Sequence, residues 1–426
     1  MSGNAPLVKS NFQDFYRNIY PIEEVVNWLS YNLVTAEDSD ENAKLRSHKS
    51  GNYVANREFC FTLVGDIFTR FRSYDSKEKL RKELVQLGPE KIDVGAVYDM
   101  PAEKKKITTI TPMERELVFD IDMTDYDHVR SCCKGKSICE YCWGWMACAA
   151  KVLSFTLKND FGFKYLLPVF SGRRGVHLWV CDKRARELSD EARGAIVGYM
   201  SVFIGESKSA CGGDLAKGLP IHPTLDYISK TYLNSAFDII FLSTDSQNRN
   251  SIRHYVKPAV VVYQALVASL KEGWKSKEAE KLTNPLLAFE GGAEHDGGDL
   301  SGDERINPKW WDNTLATLTT HKVLGALAAA QFLLLYPRLD VHVSTRKDHL
   351  LKLPFCIHPG TGSLCCPLFL DAIDTFNPKK DPPTIYEMLS PQYGNGGEGY
   401  VLDPKWKRPL STMLADMAED AEERVQ

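Results

Sequence analysis

The alternation of apolar and polar residues is sharpest in Glu116-Leu-Val-Phe-Asp-Ile-Asp122. There Leu117, Phe119 and Ile121 interleave with Val118, Asp120 and Asp122. A period of two predicts a half-buried strand over 117–122, and it sets Asp120 and Asp122 on one face, roughly 7 Å apart along the backbone. Helical spacing appears behind Pro21, in Val25, Val26, Trp28 and Leu29. A second helix is expected from a Ser76 cap to about Gln86, closing at Gly88, and a third, buried one over 143–159. Strands are expected near 91–98, 163–170 and 175–180, and a helix capped by Ser189 should run to about Ile204. Near the far end, a helix ending at Tyr336 leads into an expected strand over 338–343. A hairpin follows, turning at Pro359-Gly-Thr-Gly362. Residues 206–320 read as mainly helical with an acidic, Gly-rich loop at 289–308, and 411–426 as an acidic tail.

At 426 residues with 43% apolar content, the chain can bury a large core and is expected to hold two or three domains, or one large domain with an insertion. Its longest apolar run, 323–336, is too short to span a bilayer, and the N-terminus lacks a signal-peptide core, so a soluble protein with no membrane association is expected. Net charge is −4, which rules out a global field drawing the chain to nucleic acid; any polyanion must be met by local basic clusters.

Paired carboxylates repel, and a proton or a cation relieves the repulsion; hard divalent ions take such oxygens. Asp120 and Asp122 thus read as a Mg²⁺ or Mn²⁺ site, although an isolated Asp-x-Asp reads equally as two solvated carboxylates. Asp340 would be a third carboxylate, on the expected strand 338–343, unless it pairs with Arg338 or Arg346 on the surface. Three carboxylates can hold two cations roughly 4 Å apart, the arrangement for in-line phosphoryl displacement. Ser171-Gly-Arg-Arg-Gly-Val-His177 offers turn amides, a hydroxyl and the forked donors of Arg173 and Arg174 to phosphate oxygens. His177 either joins them or is buried. Lys352 and His358 lie by the later hairpin, and on spacing alone they carry little signal.

Four of the eleven cysteines, Cys132, Cys133, Cys139 and Cys142, crowd together. Cys139-x2-Cys142 has zinc-knuckle spacing, and four thiolates make a closed, structural Zn²⁺ site. The adjacent pair can share an ion only if the backbone turns at Lys134-Gly-Lys136. A site that uses Cys148 instead, or plain buried thiols, are the alternatives.

Taken in order, the runs Arg57-Glu-Phe-Cys-Phe-Thr-Leu, Lys91-Ile-Asp-Val-Gly-Ala-Val-Tyr, 116–127, 171–179 and 336–340 resemble the small, catalytic subunit of eukaryotic DNA primase, of the archaeo-eukaryotic primase superfamily. Similarity covers most of 10–205 and 320–375, weakening over 350–359. The resemblance implies an α/β (α+β) fold: a discontinuous mixed-sheet catalytic core, 1–205 and 321–410, with a structural zinc motif at 131–143 and an inserted, mainly helical subdomain at 206–320. It implies Asp120, Asp122 and Asp340 as the metal-binding catalytic triad. Ser171, Arg173, Arg174, His177, Lys352 and His358 become nucleotide contacts, with Glu58, Arg70, Lys91 and Asp93 lining the same site and the four cysteines as zinc ligands.

The expected activity is DNA-templated synthesis of short RNA primers from ribonucleoside triphosphates by two-metal nucleotidyl transfer. The resemblance also implies a large subunit bearing an iron–sulfur cluster, the polymerase α catalytic and accessory subunits, a single-stranded DNA template and a nuclear location. Two other classes fit parts of the sequence. A Mn²⁺-dependent glycosyltransferase leaves Asp340, the double-arginine turn and the cysteines without purpose. A non-catalytic zinc module for single strands needs no aspartates.

Overall fold

The computed structural model describes residues 7–31, 53–130, 132–139, 142–202, 216–242, 256–275, 318–320, 324–390 and 402–423, with isolated positions between them. The acidic loop expected at 289–308 lies outside these residues. The fold is mixed α/β. Among the described residues eight strands follow in chain order: β1 (Arg57–Leu63), β2 (Ile67–Arg72), β3 (Lys91–Tyr98), β4 (Pro112–Glu114), β5 (Leu117–Asp122), β6 (Leu166–Phe170), β7 (Gly175–Val180) and β8 (Leu351–Lys352). They form one sheet in the order β2-β1-β3-β4, with β8 also paired to β3, and a second in the order β5-β7-β6.

The chain divides into two compact units. One comprises Met1–Asp120, Gly162–Gly198 and Leu339–Gln426, the other Ile121–Phe161 and Tyr199–Arg338. The expected helical stretch 206–320 falls inside the second unit, together with 121–161.

In the first unit, register sorts the side chains. Antiparallel pairing of Thr62 with Lys91, Phe61 with Ile92, Cys60 with Asp93 and Phe59 with Val94 puts Thr62, Cys60, Lys91 and Asp93 on one face. Phe59, Phe61, Ile92 and Val94 are left to the core, where they are 0–1% exposed. The helix Ile22–Ser30 starts after Pro21 with Glu23 and Glu24 in its first turn, buries Val25, Trp28 and Leu29 on one stripe, and ends on left-handed Tyr31. Trp28 meets Trp179 of β7 edge to face at 5.2 Å, a contact worth ~1 kcal/mol beyond burial. Ser76 caps the helix Lys77–Leu87 by accepting from the Lys79 N–H, and Gly88 closes it at φ +56°.

The expected strand over 338–343 is a helix instead. Asp340 is the N-cap of Val341–Thr345, its Oδ1 accepting the His342 N–H at 3.0 Å. Six residues of alternation are too few to outweigh a capping aspartate behind Pro337. The acidic tail is the end of a longer helix, Pro404–Glu423, in which Asp420 accepts from Lys164 at 2.8 Å and from Tyr165 at 2.5 Å.

In the second unit, Trp143–Asn159 is the expected buried helix, and Trp145 donates its indole N–H to the Leu334 carbonyl at 3.0 Å. That carbonyl belongs to the apolar helix Gly325–Leu335. Gly144 is required by a close approach: a Cβ there would stand 2.7 Å from Ile240. Among the described residues no helix is long and apolar enough to cross a membrane.

A buried charge cluster ties the strands of the first unit together. Glu116 accepts from both Arg57 terminal nitrogens at 2.8 and 3.0 Å and from the Tyr31 hydroxyl at 2.5 Å. Burial alone would raise its carboxyl, but Arg57 and Tyr31 hold it down to about 2. Arg193 spreads its donors over the carbonyls of Leu188, Glu116, Arg115, Ala185 and Arg186. Arg115 is also fully buried, yet its guanidinium has no hydrogen-bond partner among the described residues, and burial lowers it to about 9.

The two arginines should therefore answer differently to neutral replacement. Arg57→Met strands a buried carboxylate and should cost roughly 3–5 kcal/mol. Arg115→Met, which removes a buried cation that makes no hydrogen bond among the described residues and is only attracted by Glu116, should cost about 1 kcal/mol or less. Urea unfolding compares them; equal losses would refute this. Glu116 falls from 4.5 unfolded to about 2 folded, so its contribution is complete above pH 4.5 and lost as pH drops toward 2. That contribution is ~3 kcal/mol.

Candidate active site

Asp120 sits at the edge of the first unit on β5, and two contacts fix its surroundings. The Asp340 N–H donates to the Asp120 carbonyl at 3.2 Å. The His177 Nε2 lies 3.5 Å from Asp120 Oδ1. The backbone of Asp340 and the histidine of the arginine turn are thus both brought to Asp120. His177 is 5% exposed, so the buried alternative holds for it, with its ring edge at the carboxylate. Arg346, an alternative ion-pair partner for Asp340, is engaged with Asp348 at 2.9 Å. Asp122 stands two residues beyond Asp120 on the same strand and caps the turn Met123–Tyr126, accepting from the Thr124 N–H at 2.9 Å and its hydroxyl at 2.8 Å.

The arginine turn between β6 and β7 is clasped by the hairpin at 358–363. Ser171 Oγ accepts the Gly175 N–H at 2.9 Å, which closes the turn. Lys352 Nζ donates to the Ser171 carbonyl at 2.9 Å, and Thr361 Oγ1 to the Gly172 carbonyl at 2.7 Å. Gly172 has φ +86°, and a Cβ there would meet the His358 Cβ at 2.7 Å and the Ser363 carbonyl at 3.2 Å. Only glycine fits both the backbone and the gap. The expected turn at 359–362 is present: the His358 N–H donates to Ser363 at 2.9 Å, and the Gly362 N–H to His358 at 2.8 Å. Arg173 reaches the same place, within 3.8 Å of the Cβ position at Gly360.

His358 is where these cations meet. Burial first, then Lys352, Arg173 and Arg174, push its imidazole down to about 3. Its Nδ1 accepts the Gly360 N–H at 3.1 Å, so the neutral ring carries its proton on Nε2. A neutral ring with three cations around it could receive a multiply charged anion.

The remaining expected residues lie on the polar face of the first sheet. Asp93 pairs in register with Lys352 of β8 and holds Lys91 at 2.9 Å. Glu58, 0% exposed, takes Arg70 at 2.9 and 3.3 Å and the Tyr98 hydroxyl at 3.1 Å. Tyr98 and Thr361 complete this arrangement, and sequence reasoning missed them. Neither belongs to a motif, and only cross-strand register or the hairpin clasp reveals them.

Within the second unit, the ligand atoms of Cys132, Cys133, Cys139 and Cys142 all lie within 4.8 Å of one another. Cys132 to Cys142 is 3.4 Å and Cys139 to Cys142 is 3.6 Å, close to the ~3.8 Å between sulfurs of a tetrahedral zinc site. The backbone turns at Gly135, φ +56°, as the adjacent pair requires. Arg130 closes the loop, donating to Ser137 at 3.0 Å, Gly135 at 3.3 Å and the Cys142 sulfur at 3.5 Å. Hydrogen bonds to Cys139 and Cys142 drive Cys132 up, burial drives Cys133 up, and hydrogen bonds from Cys132 and Cys142 hold Cys139 down. These four could hold a zinc ion. Cys148 is not among them; it is buried in the helix Trp143–Asn159. Among the described residues this is the one group with three or more ligand atoms so gathered, and the aspartates form none.

Residues 119–369 match the family described as DNA primase small subunit. The DNA primase small subunit of Schizosaccharomyces pombe is 35% identical over 389 residues, 88% of this chain and 76% of that protein. That of Caenorhabditis elegans is 34% identical over 416 residues, 96% of this chain and 95% of its own. Among solved structures, the polymerase domain of Mycobacterium tuberculosis Ligase D in complex with DNA covers 90% of this chain and 92% of that one at 11% identity. Its TM-score of 0.34 is too low to carry a conclusion.

In the free protein His358 should stay neutral down to about pH 3. Tripolyphosphate, by offsetting the three neighbouring cations, should move its titration up toward 6.5. Imidazole ¹⁵N spectra read this; a midpoint near 6.5 without anion, or no response to it, would contradict the pocket.

Proposed function

This chain belongs to the DNA primase small subunit family, and on that premise we propose how its residues divide the work of primer synthesis. Its activity is that of a nucleotidyltransferase making RNA primers on a DNA template. The family implies divalent-metal use, a large-subunit partner and a DNA template. Beyond this, we assign Asp120, Asp122 and Asp340 as ligands for two Mg²⁺ or Mn²⁺ ions. Ser171, Arg173, Arg174, Lys352 and His358 take the triphosphate of the incoming ribonucleotide. The observation that carries the assignment is the bond from the Asp340 N–H to the Asp120 carbonyl, with His177 3.5 Å from the Asp120 carboxylate.

Carboxylate oxygens are the donors that hard divalent ions take, which supports this reading of the three aspartates. When bound, such ions activate a ribose 3′-hydroxyl and neutralise the departing pyrophosphate. Asp120 and Asp122 hold their oxygens on a strand, and Asp340 adds one from a capped turn. Arg173 and Arg174 spread the negative charge that builds on the triphosphate, and neutral His358 donates Nε2–H to a phosphate oxygen. Lys352, anchored on the Ser171 carbonyl, couples the turn to Asp93 and Lys91. Glu58 and Arg70 line the same face. The four cysteines hold a structural Zn²⁺. The large subunit bearing an iron–sulfur cluster, the polymerase α subunits and the nucleus complete the setting in which the enzyme works.

Asp120→Asn and Asp340→Asn should abolish primer synthesis on an oligopyrimidine template while leaving the melting temperature nearly unchanged. Asparagine keeps the cap on His342 at position 340. Arg174→Ala should raise KM for nucleotide roughly tenfold or more and affect kcat less. Full activity in Asp120→Asn would end the metal assignment.

Elemental analysis of the purified chain should find about one zinc ion, removed by a strong chelator or by Cys139→Ser with loss of thermal stability. Zinc retention in Cys139→Ser would argue against that ligand set.

A further inference from the structure

The β1–β2 hairpin leaves apolar side chains in water at the edge of the first sheet. Phe68 is 65% exposed, Ile67 57% and Val64 48%. Solvent-facing aromatic residues on an edge strand invite pairing with other chains, so a persisting one calls for an occupant.

Register shows where Phe68 points. It pairs with Thr62, which pairs with Lys91 on the other side, so the three form one row across β2, β1 and β3. The next row on that face is Cys60, Asp93 and Lys352. Arg70, two residues after Phe68, reaches Glu58 on the same face. Adjacent strands stand ~5 Å apart, so the Phe68 ring lies ~10 Å from Lys91, on the polar side of the sheet. The exposed ring therefore continues the surface assigned to the nucleotide. Beside β2 packs the short helix Ala102–Lys106, whose Lys104, Lys105 and Lys106 are exposed and run into Ile107, 78% exposed. The acidic groups in the vicinity are Asp66 in the hairpin turn with Glu90 beside it, Glu103 on the helix, and Glu58 and Asp93, which are taken by Arg70 and Lys91. With Glu58 and Asp93 paired, Lys104–Lys106 remain as a concentrated run of exposed cations in a chain whose net charge is −4.

We infer that this edge carries the single-stranded DNA template, with Phe68 as a stacking platform for an unpaired base and Lys104–Lys106 meeting the phosphates. The inference rests on the primase reading above. An aromatic face flanked by cations is what a single strand needs: every base has a π-face to stack, and lysines meet the backbone without reading sequence. A docked protein strand would instead prefer an edge without the flanking lysines.

The test uses the full chain and end-labelled single-stranded oligopyrimidine DNA, read by fluorescence anisotropy without nucleotide. Phe68→Ala should raise the Kd roughly tenfold, and Phe68→Trp should restore binding. Replacing the three lysines with alanine should lower the slope of log K against log salt by about 2. Phe369→Ala, at an exposed aromatic elsewhere in this unit, should change nothing. The KM for nucleotide at saturating template should be unaltered in Phe68→Ala. Should DNA affinity stay level while that KM rises, the ring stacks on the incoming base instead and the inference falls. Equal binding by Phe68→Ala and wild type overturns it alone, whereas a wild type that neither binds DNA nor makes primers overturns the functional reading as well.

Discussion

The segment Leu351–Leu368 is hydrogen-bonded to both sheets, and the site in the first unit depends on that. At its start Lys352 pairs with Asp93 of β3, and the Leu353 N–H donates to Ile92 at 2.9 Å. At its end the Phe170 N–H of β6 donates to Cys366, and the Leu368 N–H to Pro168, both at 2.9 Å. One hairpin therefore sets the distance between the β3 face, with Lys91 and Asp93, and the arginine turn that leaves β6. Backbone bonds at both ends give this spacing a precision that side chains with several rotamers could not supply. Gly172 is the tolerance in the joint: where the hairpin presses against the turn, no Cβ can be accommodated.

Charge in this unit is handled in two opposite ways. Around Glu116 the cations are matched to a carboxylate and to carbonyls, and the result is rigid scaffold. Around His358 three cations converge and the histidine has been driven to its neutral form. Like charges brought together cost folding energy unless a partner of opposite charge offsets them. Arg115, buried without a hydrogen-bond partner among the described residues, belongs to neither pattern, although Glu116 and Glu58 favour its charge.

Elements whose pattern and punctuation agree were legible in the sequence. The strand 117–122, the cap at Ser76 with Gly88, and the helix starting at Trp143 each combine periodicity with a physical start or stop. The cysteine cluster was legible because four thiols within eleven positions leave the chain few other uses. Residues 338–343 misled because a valine-rich alternation and a capping aspartate compete over one short stretch, and the cap won. The rows across β2, β1 and β3 could not be read at all. Phe68 and Tyr98 gain meaning only from register, which side-chain burial and turn geometry set together, far from either residue in sequence.

Asp122 and Asp340 share a device that composition conceals. Each ends an extended stretch and caps the short helix that follows, with Oδ1 accepting a backbone N–H two residues ahead. The bond fixes χ1 and χ2, so a carboxylate that would otherwise sample several rotamers is held in one. Asp120 lacks such a cap and is located instead by β5 itself and by the His177 edge. Each of the three carboxylates is thus oriented by a local contact, Asp122 and Asp340 by a cap and Asp120 by His177.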